Sequence, residues 1–227
     1  MNGVIEYYEA PPPDYKEVFC AGLICRVPIP FVLGKPQNRI LLDYHDIKNP
    51  ANCNYRLENT DLSDYDPRKD KPLRHLNLDV DSFLLANGYK FRPCVILSDP
   101  IKCEFRAPGD QGFLVVPLYS VHDPAGAYKD YIDREMVMRA QAYQFNNVFY
   151  MPESSPFDIR ESFARVDRIE FVKLEHFSPK PVKMTAKAID LLRQWAWYYQ
   201  GCPILDNSLE EYMAKARTEI DARLGAS

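Results

Sequence analysis

Residues 91–100 read FRPCVILSDP and residues 112–120 read GFLVVPLYS. Each is an apolar run with a polar residue at one edge: Arg92 ahead of the first, the hydroxyls of Tyr119 and Ser120 at the end of the second. The turn-forming stretches SDPIK and APGDQG lie between them, around a further short apolar segment at 101–106. Runs of this length punctuated by such turns predict an antiparallel meander, with strands over 93–98 and 113–118. An arginine at the mouth of one strand, facing hydroxyls at the end of the next, suits a phosphate site. It is equally ordinary strand punctuation.

Outward from this pair, the chain of 227 residues is long enough for one large domain with additions, and its 46% hydrophobic content supports a buried core. Nineteen prolines against nine glycines point to rigid loops rather than hinges. A formal net charge of −4 argues against a general nucleic-acid coat, so any nucleic-acid site must be a local patch. Six cysteines and four histidines show no CxxC and no regular spacing, which argues against a zinc site and suits a reducing compartment. The N-terminal stretch lacks the basic and apolar regions of a signal peptide, and no apolar run approaches the roughly 18 residues of a membrane span. A soluble, cytoplasmic protein is expected.

Residues 1–17 carry a triple proline and read as an arm. Residues 18–33 suit a strand whose Pro28 and Pro30 would confine it to an edge or end its pairing. Residues 35–80 are rich in Asn, Asp, Pro and charge, with little regular structure expected; a segment that long is functional or packs over the core. The Asn87–Gly88 pair signals a turn at the end of 81–90. A short helix is predicted over 132–145, a strand over 147–152, and a bent or bulged strand over 161–174. Thr185 is the candidate N-cap of a helix that places Ile189, Leu192, Trp195, Ala196 and Tyr199 on one face and ends near Gly201. A capping box, Ser208 with Glu211, opens a second helix aligning Leu209, Tyr212, Met213, Ala216 and Ile220. Two helices after a β-rich body predict an α+β class, a small barrel with helices packed outside.

The segments AGLICRVPIPF (21–31), RPCVILSDP (92–100), FLVVPLYSV (113–121), NNVFYMP (146–152) and ESFARVDRIEFV (161–172) occur in the order found in the MazF/PemK-like family. That family comprises toxins of type II toxin–antitoxin systems and shares its fold with CcdB. The chain resembles it over residues 18–34 and 89–200. The resemblance implies an SH3-like barrel domain spanning 18–200, in which residues 35–88 replace the first inter-strand loop, followed by an added amphipathic helix over 202–227. It also implies a homodimer, an antitoxin-like protein partner, and cleavage of single-stranded RNA without metal or cofactor, by 2′-hydroxyl attack leaving a cyclic phosphate.

Carried across residue by residue, the family's catalytic arginine before the strand proline is Arg92. Its guanidinium would neutralise charge building on the phosphorane and fork onto two oxygens. The family's threonine two residues after the next strand's proline is here Tyr119, a departure that leaves Ser120 as the nearest aliphatic hydroxyl. His122, beside Asp123, is a candidate general base, or else part of a solvent-facing turn. Arg68, Lys69, Lys71 and Arg74 make the densest basic run and would contact the RNA backbone, unless they form a solvated loop. His45–Asp46 is too sparse for a metal centre. The run Trp195, Trp197, Tyr198, Tyr199 reads as packing, with Trp197 off the apolar face and suited to a partner. Two functions follow: a toxin-like endoribonuclease, or a MazF-like module that binds RNA or a protein without cutting.

Overall fold

In the computed structural model, residues 5–31, 37–41, 55–59, 88–102, 111–203 and 207–225 are described. Their elements, in chain order, are β1 (Tyr8–Glu9), β2 (Leu23–Phe31), β3 (Gln37–Leu41), β4 (Tyr55–Asn59), β5 (Gly88–Ile96), β6 (Ile101–Lys102) and β7 (Gln111–Ser120). There follow α1 (Arg134–Gln141), β8 (Val148–Met151), β9 (Ser162–Arg165), β10 (Glu170–Lys173), β11 (Ser178–Met184), α2 (Ala186–Tyr199) and α3 (Ser208–Gly225). The class is α+β: a nine-stranded, mostly antiparallel sheet with three helices among the described residues. The sheet runs β1-β11-β2-β5-β7-β9-β8, with β6 and β10 also paired to β7. It does not close into a barrel, because the path ends on β1 at one edge and β8 at the other.

The chain divides into two compact units, Met1–Pro28 with Phe91–Ser227, and Ile29–Lys90. Within the second, β3 and β4 pair antiparallel from Gln37–Asn59 to Leu41–Tyr55. Regular structure is therefore present where little was expected, since the alternation of Arg39, Ile40 and Leu41 is short and set among Asn, Asp and Pro.

In the first unit, β7 is the central strand. Its far end pairs with β9, Tyr119 opposite Phe163, and its near end with β10, Val115 opposite Glu170. The bulged strand expected over 161–174 is thus two strands. A 3₁₀ turn, Val166–Arg168, shifts the register between them and re-aims the side chains it carries. Gly112 is required where β7 meets β10: a Cβ there would strike the Val172 carbonyl oxygen and the Phe171 ring. The ladder from β2 to β11 ends at Arg26, short of Pro28 and Pro30, so neither proline interrupts it. On β11 the register slips between Pro179 and Lys183, where Pro179 and Pro181 lack N–H donors.

The arm is anchored rather than free. Tyr8 pairs with Met184 at the sheet edge, and Tyr7 and Tyr8 are buried. One sheet face carries Val95, Val116, Leu118 and Ala164 against α2 and α3, whose Leu192, Trp195, Leu209, Tyr212 and Ala216 complete the main core. Thr185 caps α2 by accepting from the Ala188 N–H, as its position ahead of the helix predicts. The opposite face buries Val121, Tyr150 and Phe163 under Val137 and Ala140 of α1. No helix among the described residues is long and apolar enough to cross a membrane.

Candidate functional site

Extending the β5–β7 register past the Cys94–Pro117 pair sets Arg92 opposite Tyr119. On the other flank of β7, β9 sets Phe163 opposite Tyr119, so Arg165 stands diagonal to it. Residues directly opposite share a face, so three strands bring Arg92, Tyr119 and Arg165 to one place. The Arg92 guanidinium lies 4.3 Å from the Tyr119 ring centroid and that of Arg165 lies 5.7 Å from it. Both distances fall within the range of cation–π attraction.

The two arginines differ in their partners. Arg165 forks onto Asp167, Nε to Oδ1 at 2.6 Å and Nη2 to Oδ2 at 2.5 Å, and Arg168 Nε lies 3.7 Å from the same carboxylate. Burial pushes the Asp167 carboxyl up, but the hydrogen bonds and charge of Arg165 outweigh it and hold the group below the usual carboxylate range. Arg165 is raised in turn, first by its hydrogen bonds to Asp167, with smaller contributions from Tyr119 and Tyr199. Among the described residues Arg92 has no such anchor, and its Nε is buried without a hydrogen-bond partner. Of the described side chains, one carboxylate, Asp167, thus serves Arg165 and Arg168, and none is paired with Arg92.

The other predicted groups form a second cluster at the end of β7. His122 Nε2 pairs with Glu161 Oε2 at 2.8 Å, and the Tyr150 hydroxyl donates to Glu161 Oε1 at 2.5 Å. Burial, and then Glu161, push the Tyr150 hydroxyl upward. The imidazole stacks on Tyr128 at 4.7 Å, and its Nδ1 is buried with no partner. Asp123 does not orient His122; its Oδ1 accepts from the Ala127 N–H within the turn, and Glu161 holds the ring instead. Ser120 Oγ donates to the His122 carbonyl at 2.6 Å, while Lys129 Nζ donates to the Ser120 carbonyl. By strand alternation Ser120 faces away from Tyr119, so it is not the hydroxyl beside Arg92.

Arg68, Lys69, Lys71 and Arg74 lie outside the described residues, as does the His45–Asp46 pair. Trp195 is buried in the core, whereas Trp197 and Tyr198 are exposed. Among the described residues, no group of three His, Cys, Asp or Glu side chains is placed to hold a metal ion. Sequence reasoning missed Arg165, Asp167 and Glu161; the alternation in SFARVD, which sets Arg165 and Asp167 two apart, was the available signal. Comparisons with protein-family models, with curated proteins and with solved structures found no match.

Proposed function

We propose that this chain binds RNA through its sugar–phosphate backbone at the Arg92–Tyr119–Arg165 cluster, as a module of MazF/PemK-like, SH3-like layout. A homodimer and an antitoxin-like protein partner belong to the same proposal. The observation that carries it is the Arg92 guanidinium, its Nε buried without a hydrogen-bond partner, held over the Tyr119 ring beside an Arg165 already fixed by Asp167. A guanidinium that is always charged and fixed in direction suits a phosphate oxygen. Binding is favoured over scission because the groups suited to proton transfer are engaged. His122 offers Nε2 to Glu161 and has its Nδ1 buried, and the Ser120 hydroxyl serves a backbone carbonyl.

The test is fluorescence anisotropy with an end-labelled single-stranded RNA across a salt series. Arg92→Gln is expected to weaken binding about tenfold and to lower the salt slope by about one. Unchanged affinity and slope in that variant would overturn the reading.

A second reading, the metal-independent endoribonuclease, is favoured by the carboxylate-held imidazole of His122 at the end of the same strand. Long RNA incubated in EDTA would then yield fragments ending in cyclic phosphate, and Arg92→Ala would abolish them. Intact RNA with the parent protein removes this reading and leaves the first standing.

A further inference from the structure

Tyr199 is an aromatic of α2 that the core does not account for. At about 3.6 residues per turn, Ala188, Leu192, Trp195 and Tyr199 follow one stripe of the helix. The first three are buried in the main core, whereas Tyr199, one turn on, is 38% exposed. The stripe has run past the end of the core, and what lies beside it there is charged.

The 3₁₀ turn Val166–Arg168, which carries Asp167 and Arg168, packs against α2. Tyr199 acts on the guanidinium at the head of that turn. After the hydrogen bonds to Asp167, Tyr119 and Tyr199 each add to the upward push on Arg165. Arg165 is thus shared by two tyrosines, Tyr119 from β7, with its ring centroid at 5.7 Å, and Tyr199 from the helix. Arg165 and Arg168 stay partly exposed, so the guanidiniums can be reached from solvent. The neighbouring exposed aromatics are placed differently. Trp197 is about 200° round the helix from Tyr199, and the Tyr198 ring lies 5.5 Å from that of Trp195.

A bare polyanion would be served by the guanidiniums alone and would leave the Tyr199 ring in water. A nucleotide carries a planar base beside its phosphate, and every base offers a face on which an aromatic ring stacks. We infer that Tyr199 is a base-stacking residue of the Arg92–Tyr119–Arg165 site: with a phosphate on the guanidiniums, an adjoining base lies on the Tyr199 ring. The inference rests on the RNA reading above and adds that the site grips bases as well as backbone.

The test uses the full chain and three probes. They are end-labelled single-stranded RNA followed by anisotropy, the same RNA carrying 2-aminopurine, whose fluorescence falls on stacking, and inorganic polyphosphate followed by calorimetry. Polyphosphate has the charge without the bases. Tyr199→Ala is expected to weaken RNA binding at least about fivefold, with an unchanged salt slope because no charge is lost, and to reduce the 2-aminopurine quenching. Its affinity for polyphosphate is expected to stay within about twofold of the parent's. Tyr199→Phe keeps the ring and is expected to stay within about twofold on RNA. Arg92→Gln is expected to weaken both ligands. A loss in Arg92→Gln with none in Tyr199→Ala, or a Tyr199→Ala loss of the same size on polyphosphate, would overturn the stacking inference and leave the RNA reading standing. No loss of RNA binding in Arg92→Gln would overturn the RNA reading and the stacking inference with it.

Discussion

Arg92 and Tyr119, on adjacent strands and 27 positions apart in sequence, meet with the guanidinium 4.3 Å from the ring centroid. Arg165 approaches the same ring from the strand on the other side of β7. Tyr119 is therefore the support on which a two-arginine cluster is assembled, where the resembled family carries a small hydroxyl residue. On the proposed RNA binding, if the ring matters more than its hydroxyl, Tyr119→Phe should keep affinity within about twofold. Tyr119→Ala should lose about threefold to thirtyfold, the worth of a partly shielded cation–π contact. Anisotropy titrations of both variants decide it, and a larger loss in the Phe variant would assign the work to the hydroxyl.

The Asp167 carboxyl is held low in the folded protein, so its sign is that of a stabilising anion. Its contribution is complete above the unfolded pKa of about 3.9 and is lost as pH falls through the lower folded value. Asp167→Asn should be about 1–2 kcal/mol less stable at neutral pH, the worth of charge-assisted hydrogen bonds at a part-buried site. Urea unfolding at a series of pH values should show the two proteins converging below about pH 4. A gap that stays constant with pH would mean the loss is packing rather than charge.

Glu161 satisfies two side chains at once, His122 Nε2 and the Tyr150 hydroxyl. Glu161→Ala strands both and should cost about 2–4 kcal/mol, one to two desolvation penalties for part-buried polar groups. Glu161→Gln, which keeps an acceptor and gains a donor, should cost less. Thermal unfolding of the two variants orders them.

Gly112 sits in β7 where β6 and β10 both pair, opposite Ile101 and Lys173. Gly112→Ala places its methyl into the Val172 backbone and the Phe171 ring. The exposed ring can swing away but the backbone cannot, so a loss of about 1–3 kcal/mol is expected, as for overpacking. Chemical denaturation measures it, and a neutral result would mean that β10 yields.

Thiol reactivity should follow burial. Cys202 is exposed, whereas Cys94 is buried with its thiol pushed upward; burial, and then Cys20, push Cys25 up to about 12. Native labelling with a thiol reagent, mapped by mass, should modify Cys202 fully before Cys25 or Cys94 reacts. Early labelling of Cys94 would imply that β5 opens readily.

Much of the scaffold was legible. The apolar runs at 93–98 and 113–118 became β5 and β7, the period near 3.6 after Thr185 became α2, and the stripe Leu209, Tyr212, Ala216, Ile220 became the buried side of α3. Each of these carries its periodicity within a few residues of itself. Strands β1 and β11 were not legible. β1 is two residues long, and β11 alternates Pro179 and Pro181 with lysines, so neither shows an apolar period.

The site divides along the same line. The sequence by itself determined that Arg92 borders one apolar run and that Tyr119 and Ser120 end the next strand, because local pattern and turn chemistry set where apolar runs start and stop. β5 itself begins earlier, at Gly88, and holds Arg92 within it. Only the tertiary structure decided which side chains those ends would meet. Strand pairing placed Arg92 against Tyr119, and the 3₁₀ turn at Val166–Arg168 set Asp167 to hold Arg165. The β7–β9 register gave His122 the distant Glu161 as its partner rather than the adjacent Asp123. Such contacts depend on register across neighbouring strands, and register is a property of the whole sheet that no single stretch carries.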